Sequence, residues 1–141
     1  MLTGIHLLLT YSCTFECDHC FLYSSPAAEG TMTLPQVRDL LEQARDVGTV
    51  EWIYFEGGEP FLFAASLVEG ARLARHMGFE VGIVTNGYWA LSPDDAQVNL
   101  RPLAEIGLGD LSVSDDTFHY GEQQENNRRH EVTRAWPSQA H

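Results

Sequence analysis

The chain has 141 residues and a formal net charge of −12, and 44% of its residues are hydrophobic. This length predicts one domain with a buried core, and the apolar fraction excludes a disordered chain. The chain has no lysine, which excludes lysine nucleophiles and Schiff bases, and an acidic chain without a basic patch argues against nucleic-acid binding. No apolar run is long enough to span a membrane, and the N-terminus lacks the pattern of a signal peptide. We therefore expect free thiols and a cytoplasmic location.

Apolar runs and helical stripes alternate along the chain. The predicted strands cover Gly4–Tyr11, Val50–Phe55, Phe79–Val84 and Leu108–Ser114. The predicted helices cover 33–47, with a capping box of Thr33 and Gln36 and a stop at Gly48, then 60–77, and then a segment that Ser92 caps. Pro102 is expected to kink this third helix or to split it in two.

The order βαβαβαβ predicts a parallel sheet with right-handed crossovers. The segments that follow the four strands contain Cys13, Gly57-Gly58-Glu59, Thr85-Asn86-Gly87 and Ser114-Asp115. Because the carboxyl ends of parallel strands lie on one edge of the sheet, where such folds keep their sites, we expect these residues to converge there.

The only three cysteines of the chain, Cys13, Cys17 and Cys20, lie in one eight-residue window. An iron–sulfur cube usually takes four thiolates, so three would leave one iron open to a small molecule. Three other interpretations remain open at this point. A disulfide framework requires an even number of cysteines, a packed helix face would have to accept the polar residues between them, and a zinc site would need a histidine as fourth ligand.

The spacing Cys13-x3-Cys17-x2-Cys20 resembles the signature of the radical SAM (S-adenosylmethionine) superfamily. Three further segments resemble motifs of that family and follow in the same order. They are Gly57-Gly58-Glu59-Pro60, Thr85-Asn86-Gly87 and Ser112-Val113-Ser114-Asp115. The resemblance extends from about Ile5 to about Tyr120, and it implies a partial (β/α) barrel.

The resemblance implies that Cys13, Cys17 and Cys20 hold a 4Fe–4S cluster whose open iron binds SAM. Cleavage of SAM by one electron would give methionine and a 5′-deoxyadenosyl radical, which abstracts hydrogen from a substrate. His19 stands where the family usually has another aromatic residue beside the adenine. The cofactor-binding residues that the resemblance implies are His19, Gly57, Gly58, Glu59, Pro60, Thr85, Asn86, Ser112, Ser114 and Asp115. For Thr85 and Asn86, the alternative to donating to the cofactor is that they only close the turn before Gly87.

The family's usual core continues with a fifth and a sixth strand, for which this sequence has no counterpart. We therefore expect residues 1–120 to be the N-terminal part of a radical SAM core, truncated after the fourth strand. Residues 121–141 form a polar tail, which is interpreted either as disordered or as a truncated or frameshifted end. The alternative to an enzyme is a non-catalytic fragment that binds a cluster or zinc without turnover.

The partners implied by the resemblance are SAM itself and an electron donor such as flavodoxin or ferredoxin. The sequence does not identify the substrate or the catalytic residues, although a peptide or protein would match the maturases and activating enzymes of the family. Neither a membrane nor a nucleic acid is expected as a partner.

Overall fold

The structure is a computed structural model that describes residues 1–15, 20–114 and 132–136. Its strands are β1 (Gly4–Thr10), β2 (Trp52–Gly57), β3 (Glu80–Thr85) and β4 (Asp110–Val113). Its main helices are α1 (Leu34–Val47), α2 (Ala64–His76) and α3 (Pro93–Ile106). The predicted order of strands and helices is therefore confirmed.

The ends of the helices follow the predicted capping chemistry. The Thr33 hydroxyl accepts a hydrogen bond from the Gln36 backbone N–H at 3.3 Å, and the Gln36 side chain accepts from the Thr33 N–H at 2.9 Å. Gly48 ends α1 in the left-handed conformation with φ at 80°. The Ser92 hydroxyl caps α3 by accepting from the Asp95 N–H at 3.1 Å. The residues next to each of these helix ends thus determine where α1 begins and ends and where α3 begins.

Two details of the predicted helices were wrong. The second helix does not begin at Pro60: residues Pro60–Phe63 form a short 3₁₀ turn, which the Glu59 carboxylate caps at the Phe61 N–H, and α2 follows it. The third helix is not split, because α3 runs through Pro102 without a break, while a kink at Pro102 remains a prediction. Leu100 and Leu103 on either side of this proline are buried in the core, and their burial offsets the hydrogen bond that proline cannot make.

The four strands form one parallel sheet in the order β1-β2-β3-β4. Each helix connects a strand to its neighbour on the same side in the sheet. Because right-handed crossovers in one direction place their helices on one face, all three helices lie on the same face of the sheet. The contacts of α2 with both α1 and α3 agree with this arrangement. α2 approaches β2 closely at Gly70, where a Cβ atom would lie 2.9 Å from the Phe55 ring.

The covered face of the sheet carries the hydrophobic core. Its strand residues are exposed by 7% or less and are Leu7, Leu9, Ile53, Phe55, Val81, Ile83, Leu111 and Val113. The alternate residues of the strands lie on the opposite, inner face, so Ser112 lies on that face, as predicted, and is half-buried. Polar side chains near the carboxyl ends of the strands therefore surround a space that the helices do not fill.

Part of the predicted polar tail contacts the core. Val132 is fully buried, and Trp136 packs against the core while its N–H donates to the Val132 carbonyl at 2.8 Å. These are the two large apolar residues that the sequence offers after Gly121. The division of the chain at residue 120 remains a prediction.

Candidate functional site

A cavity of about 240 Å³ lies at the carboxyl ends of the strands. Its wall includes residues that end or follow the four strands, namely Cys13, Cys20, Gly57, Gly58, Thr85, Asn86 and Ser114. The structure therefore brings these predicted residues together. It places Glu59 and Pro60 behind the wall, both buried, and it places Ser112 outside the lining. Cys17, His19 and Asp115 lie outside the described residues.

The loop that carries the cysteines folds back against the segment before α1. The Tyr11 N–H donates to the Gly30 carbonyl at 2.9 Å, and the Ser12 hydroxyl donates to the Ala28 carbonyl at 2.7 Å. The Cys13 N–H donates to the Ser25 carbonyl at 3.1 Å. These bonds hold the loop beside the end of β1, so Cys13 faces the cavity from a fixed position.

Cys13 is buried, Cys20 is half-buried, and both are free thiols. The Cys13 sulfur accepts hydrogen bonds from the Phe15 N–H at 3.5 Å and from the Asn86 side-chain amide at 3.7 Å. Burial raises the pKa of the Cys13 thiol above its ordinary value, and the nearby Glu59 and Cys20 charges act in the same direction. A cation in the cavity would oppose both effects and favour the thiolate.

Gly57 and Gly58 let the chain after β2 lie directly against the cysteine loop. Gly57 has φ at 127°, and a Cβ atom on either glycine would overlap a backbone oxygen, that of Thr10 for Gly57 and that of Ser12 for Gly58. The approach is fixed by two backbone hydrogen bonds, from Gly58 N–H to Thr10 at 2.7 Å and from Glu59 N–H to Ser12 at 2.8 Å. Glycine is therefore required here for the site to close.

The Glu59 side chain is fully buried and connects β2 to β3. Its carboxylate accepts hydrogen bonds from the Thr85 hydroxyl at 2.7 Å, the Asn86 N–H at 2.7 Å and the Phe61 N–H at 3.1 Å. Burial raises the pKa of Glu59 to about 7, against the lowering effect of these three bonds. Within the described residues, the carboxylate is thus held by one side-chain hydroxyl and two backbone N–H groups. Binding of an ammonium group by Glu59 remains a prediction.

The turn after β3 is bound on both sides. The Thr85 hydroxyl accepts from the Gly87 N–H at 3.1 Å and from the Trp89 indole N–H at 3.0 Å. The Asn86 amide donates to the Thr14 hydroxyl at 2.9 Å, while its oxygen accepts from the Tyr88 N–H at 3.0 Å. Asn86 therefore both closes its own turn and reaches the cysteine loop.

Sequence reasoning missed several residues of the cavity wall. These are Phe15, Phe21, Leu22, Ser24, Glu56 and Val84. Glu56 lies 3.0 Å from the His6 ring nitrogen Nδ1, and the His6 ring stacks on Tyr54 with a centroid distance of 4.8 Å. The alternation of Tyr54 and Glu56 with the buried Ile53 and Phe55 was a usable signal, because alternate strand residues share a face.

A thiol-lined cavity at the carboxyl edge of a parallel sheet defines an α/β protein with its site on the rim of a (β/α) barrel segment. Residues 7–136 match the family model described as the radical SAM superfamily. The chain therefore belongs to the radical SAM superfamily. A 4Fe–4S cluster and SAM are the cofactors that this membership implies.

Two curated relatives and one solved structure illustrate the relationship. YydG of Bacillus subtilis (strain 168), whose name assigns it to peptide biosynthesis, is 28% identical over 115 residues, which are 82% of this chain and 36% of YydG. The PqqA peptide cyclase of Streptomyces rochei is 36% identical over 88 residues, which are 60% of this chain and 23% of the cyclase. The matched part of this chain thus spans less than a quarter of the cyclase and little more than a third of YydG. The crystal structure of BtrN in complex with AdoMet and 2-DOIA matches with a TM-score of 0.66 and 20% identity, over 93% of this chain and 55% of BtrN. That likeness confirms the predicted barrel-type fold.

The donor set of the cavity fits a cluster as far as the structure describes it. Cys13 and Cys20 both line the cavity as free thiols, and the third predicted ligand, Cys17, is not among the described residues. Within residues 1–15, 20–114 and 132–136, no group of three or more His, Cys, Asp or Glu side chains is arranged to hold a metal ion. In the same ranges, no helix combines the length and the apolar character needed to cross a membrane.

Proposed function

We propose that this chain holds a 4Fe–4S cluster on Cys13, Cys17 and Cys20 and acts as a radical SAM enzyme core. The observation that carries the proposal is that Cys13 and Cys20 share one cavity with residues at the carboxyl ends of β2, β3 and β4. When bound, the cluster and SAM would supply a one-electron cleavage of SAM to methionine and a 5′-deoxyadenosyl radical, which abstracts hydrogen from a substrate.

The protein's own part is to hold the cofactors and to exclude water from them. Gly57 and Gly58 present backbone at the cavity wall without side chains, so a ligand can approach the main chain directly. Ser114 lies on the wall just after β4, and it belongs to the residues that we propose to contact the polar part of SAM. Thr85 and Asn86 form the part of the wall after β3, where the Asn86 amide contacts the Cys13 sulfur. His19 and Asp115 complete the proposed set of SAM contacts, together with Glu59, Pro60 and Ser112 behind or beside the lining.

We further propose a peptide as the substrate and a flavodoxin or ferredoxin as the electron donor. The names of two relatives, YydG and the PqqA peptide cyclase, refer to peptides, which supports this class of substrate. Glu56 is the ionisable side chain that lines the described cavity besides the two cysteines. A substrate that bears a positive charge would match its carboxylate.

Metal uptake tests the cluster directly. We expect the 141-residue chain, reconstituted without oxygen, to bind about four iron and about four sulfide per monomer, because three-thiolate loops hold such cubes. Changing Cys17 to alanine should abolish this uptake, whereas Glu29→Ala, an exposed change in the same loop region, should leave it intact. Iron and sulfide analysis of the desalted proteins measures both results. Stoichiometric zinc with no iron uptake would instead support the non-catalytic alternative.

A further inference from the structure

One buried hydroxyl on the cavity wall has no hydrogen-bond partner. Ser24 is 4% exposed, and its Oγ atom is the buried side-chain oxygen or nitrogen that the described part of the chain leaves unpaired. A buried hydroxyl without a partner costs free energy, so folded proteins retain very few of them without a reason. Ser24 lines the same cavity as Cys13 and Cys20.

The neighbouring hydroxyls show that this is a property of Ser24 and not of the loop. The Ser12 hydroxyl donates to the Ala28 carbonyl at 2.7 Å, and the Ser25 hydroxyl accepts from the Ala27 N–H at 3.2 Å. Both serines stabilise the return of the chain toward α1. Ser24 makes no such contribution, although it is more deeply buried than either of them.

We infer that the Ser24 hydroxyl is a cofactor-binding group, which donates a hydrogen bond to an acceptor held in the cavity. The inference rests on the proposed function, since the acceptors that this function supplies are the sulfur atoms of the cluster and the carboxylate oxygens of SAM. Both are electron-rich acceptors, and a hydroxyl is a suitable donor for either. The hydroxyl is thus unsatisfied in the protein alone and becomes satisfied when the cofactors bind.

This role predicts opposite effects of Ser24→Ala with and without cofactors. The apo protein should unfold at the same or a higher denaturant concentration, because the change removes an unpaired hydroxyl. The loaded protein should be impaired in one of two ways. If the acceptor is sulfur, the reduction potential of the cluster without SAM should fall, since hydrogen bonds to sulfur raise it. If the acceptor is the carboxylate, the potential should stay and SAM should bind roughly tenfold more weakly.

The matched control is Ser25→Ala, which changes the adjacent serine, whose hydroxyl is used within its own turn. The reduction potential and the SAM affinity of the Ser25→Ala protein should match those of the unaltered chain.

Ser24→Ala protein that assembles the cluster with unchanged potential and unchanged SAM affinity would overturn the inference, as would a clear loss of apo stability. Failure of the unaltered chain to assemble a cluster would instead overturn the proposed function. The Ser24→Ala protein could fold in its apo form and still not assemble a cluster. In that case Ser24→Thr, which keeps the hydroxyl, should restore assembly. Failure of Ser24→Thr to do so would count against the inference.

Discussion

Changing Gly58 to alanine is expected to destabilise the folded chain by on the order of 3 kcal/mol and to abolish retention of the cluster. The added Cβ would overlap the Ser12 carbonyl oxygen and lie 2.8 Å from that of Tyr11. These atoms belong to backbone and cannot rotate away as a side chain would. The chain after β2 must therefore move off the cysteine loop, which breaks the hydrogen bonds to Thr10 and Ser12.

Two measurements check this expectation, namely denaturant unfolding of the apo protein and iron analysis after anaerobic reconstitution. The matched control is Gly4→Ala in β1, where a Cβ atom would meet only ordinary contacts at 3.8 Å from Trp52. This control should stay within about 0.5 kcal/mol of the unaltered chain. Normal iron retention by Gly58→Ala would show that the close approach is dispensable.

Changing Glu59 to alanine should destabilise the chain by at least about 3 kcal/mol, because it orphans three buried donors at once. These donors are the Thr85 hydroxyl and the backbone N–H groups of Phe61 and Asn86. Glu42→Ala on the exposed side of α1 is the matched control and should be nearly neutral. Urea unfolding at constant pH compares the two, and equal midpoints would contradict the structural role of Glu59.

Glu59 should also make stability depend on pH. Burial raises its pKa from 4.5 to about 7, so between these values the folded state binds a proton that the unfolded state has lost. The free energy of unfolding should therefore decrease as pH rises from about 4.5 through about 7, by roughly 3 kcal/mol from this group. Glu59→Gln carries a fixed amide and should lack this part of the pH dependence. Parallel pH profiles for the two proteins, from urea unfolding between pH 5 and 8, would contradict the raised pKa.

The sequence predicted those features that short stretches of chain determine. The capping box at Thr33 and the glycine stop at Gly48 depend on neighbours within a few residues, and the structure has both. The parallel sheet followed from the alternation of strand and helix patterns along the chain. The convergence of Cys13, Gly58 and Asn86 followed from topology, because parallel strands end on one edge. The motifs that contain these residues, and their order along the chain, carried the family resemblance as well.

Contacts between distant segments were beyond sequence reasoning. Nothing near Glu59 indicates that its carboxylate is buried against Thr85, which lies on the next strand. The missing partner of Ser24 is likewise visible only once the loop is folded over the cavity. The unbroken helix at Pro102 depends on burial of the flanking leucines, which tertiary packing decides.

Electron paramagnetic resonance of the reduced, reconstituted chain with and without SAM tests the central claim most directly. The claim is that one iron of a three-cysteine cluster is open and binds SAM in the cavity at the ends of the strands. We expect SAM to change the signal of the reduced cluster, because a new ligand at one iron alters the electronic structure of the whole cube. Adenosine at the same concentration as SAM serves as the ligand control and should leave the signal unchanged. A cluster of full iron content whose signal is the same with and without saturating SAM would contradict the account.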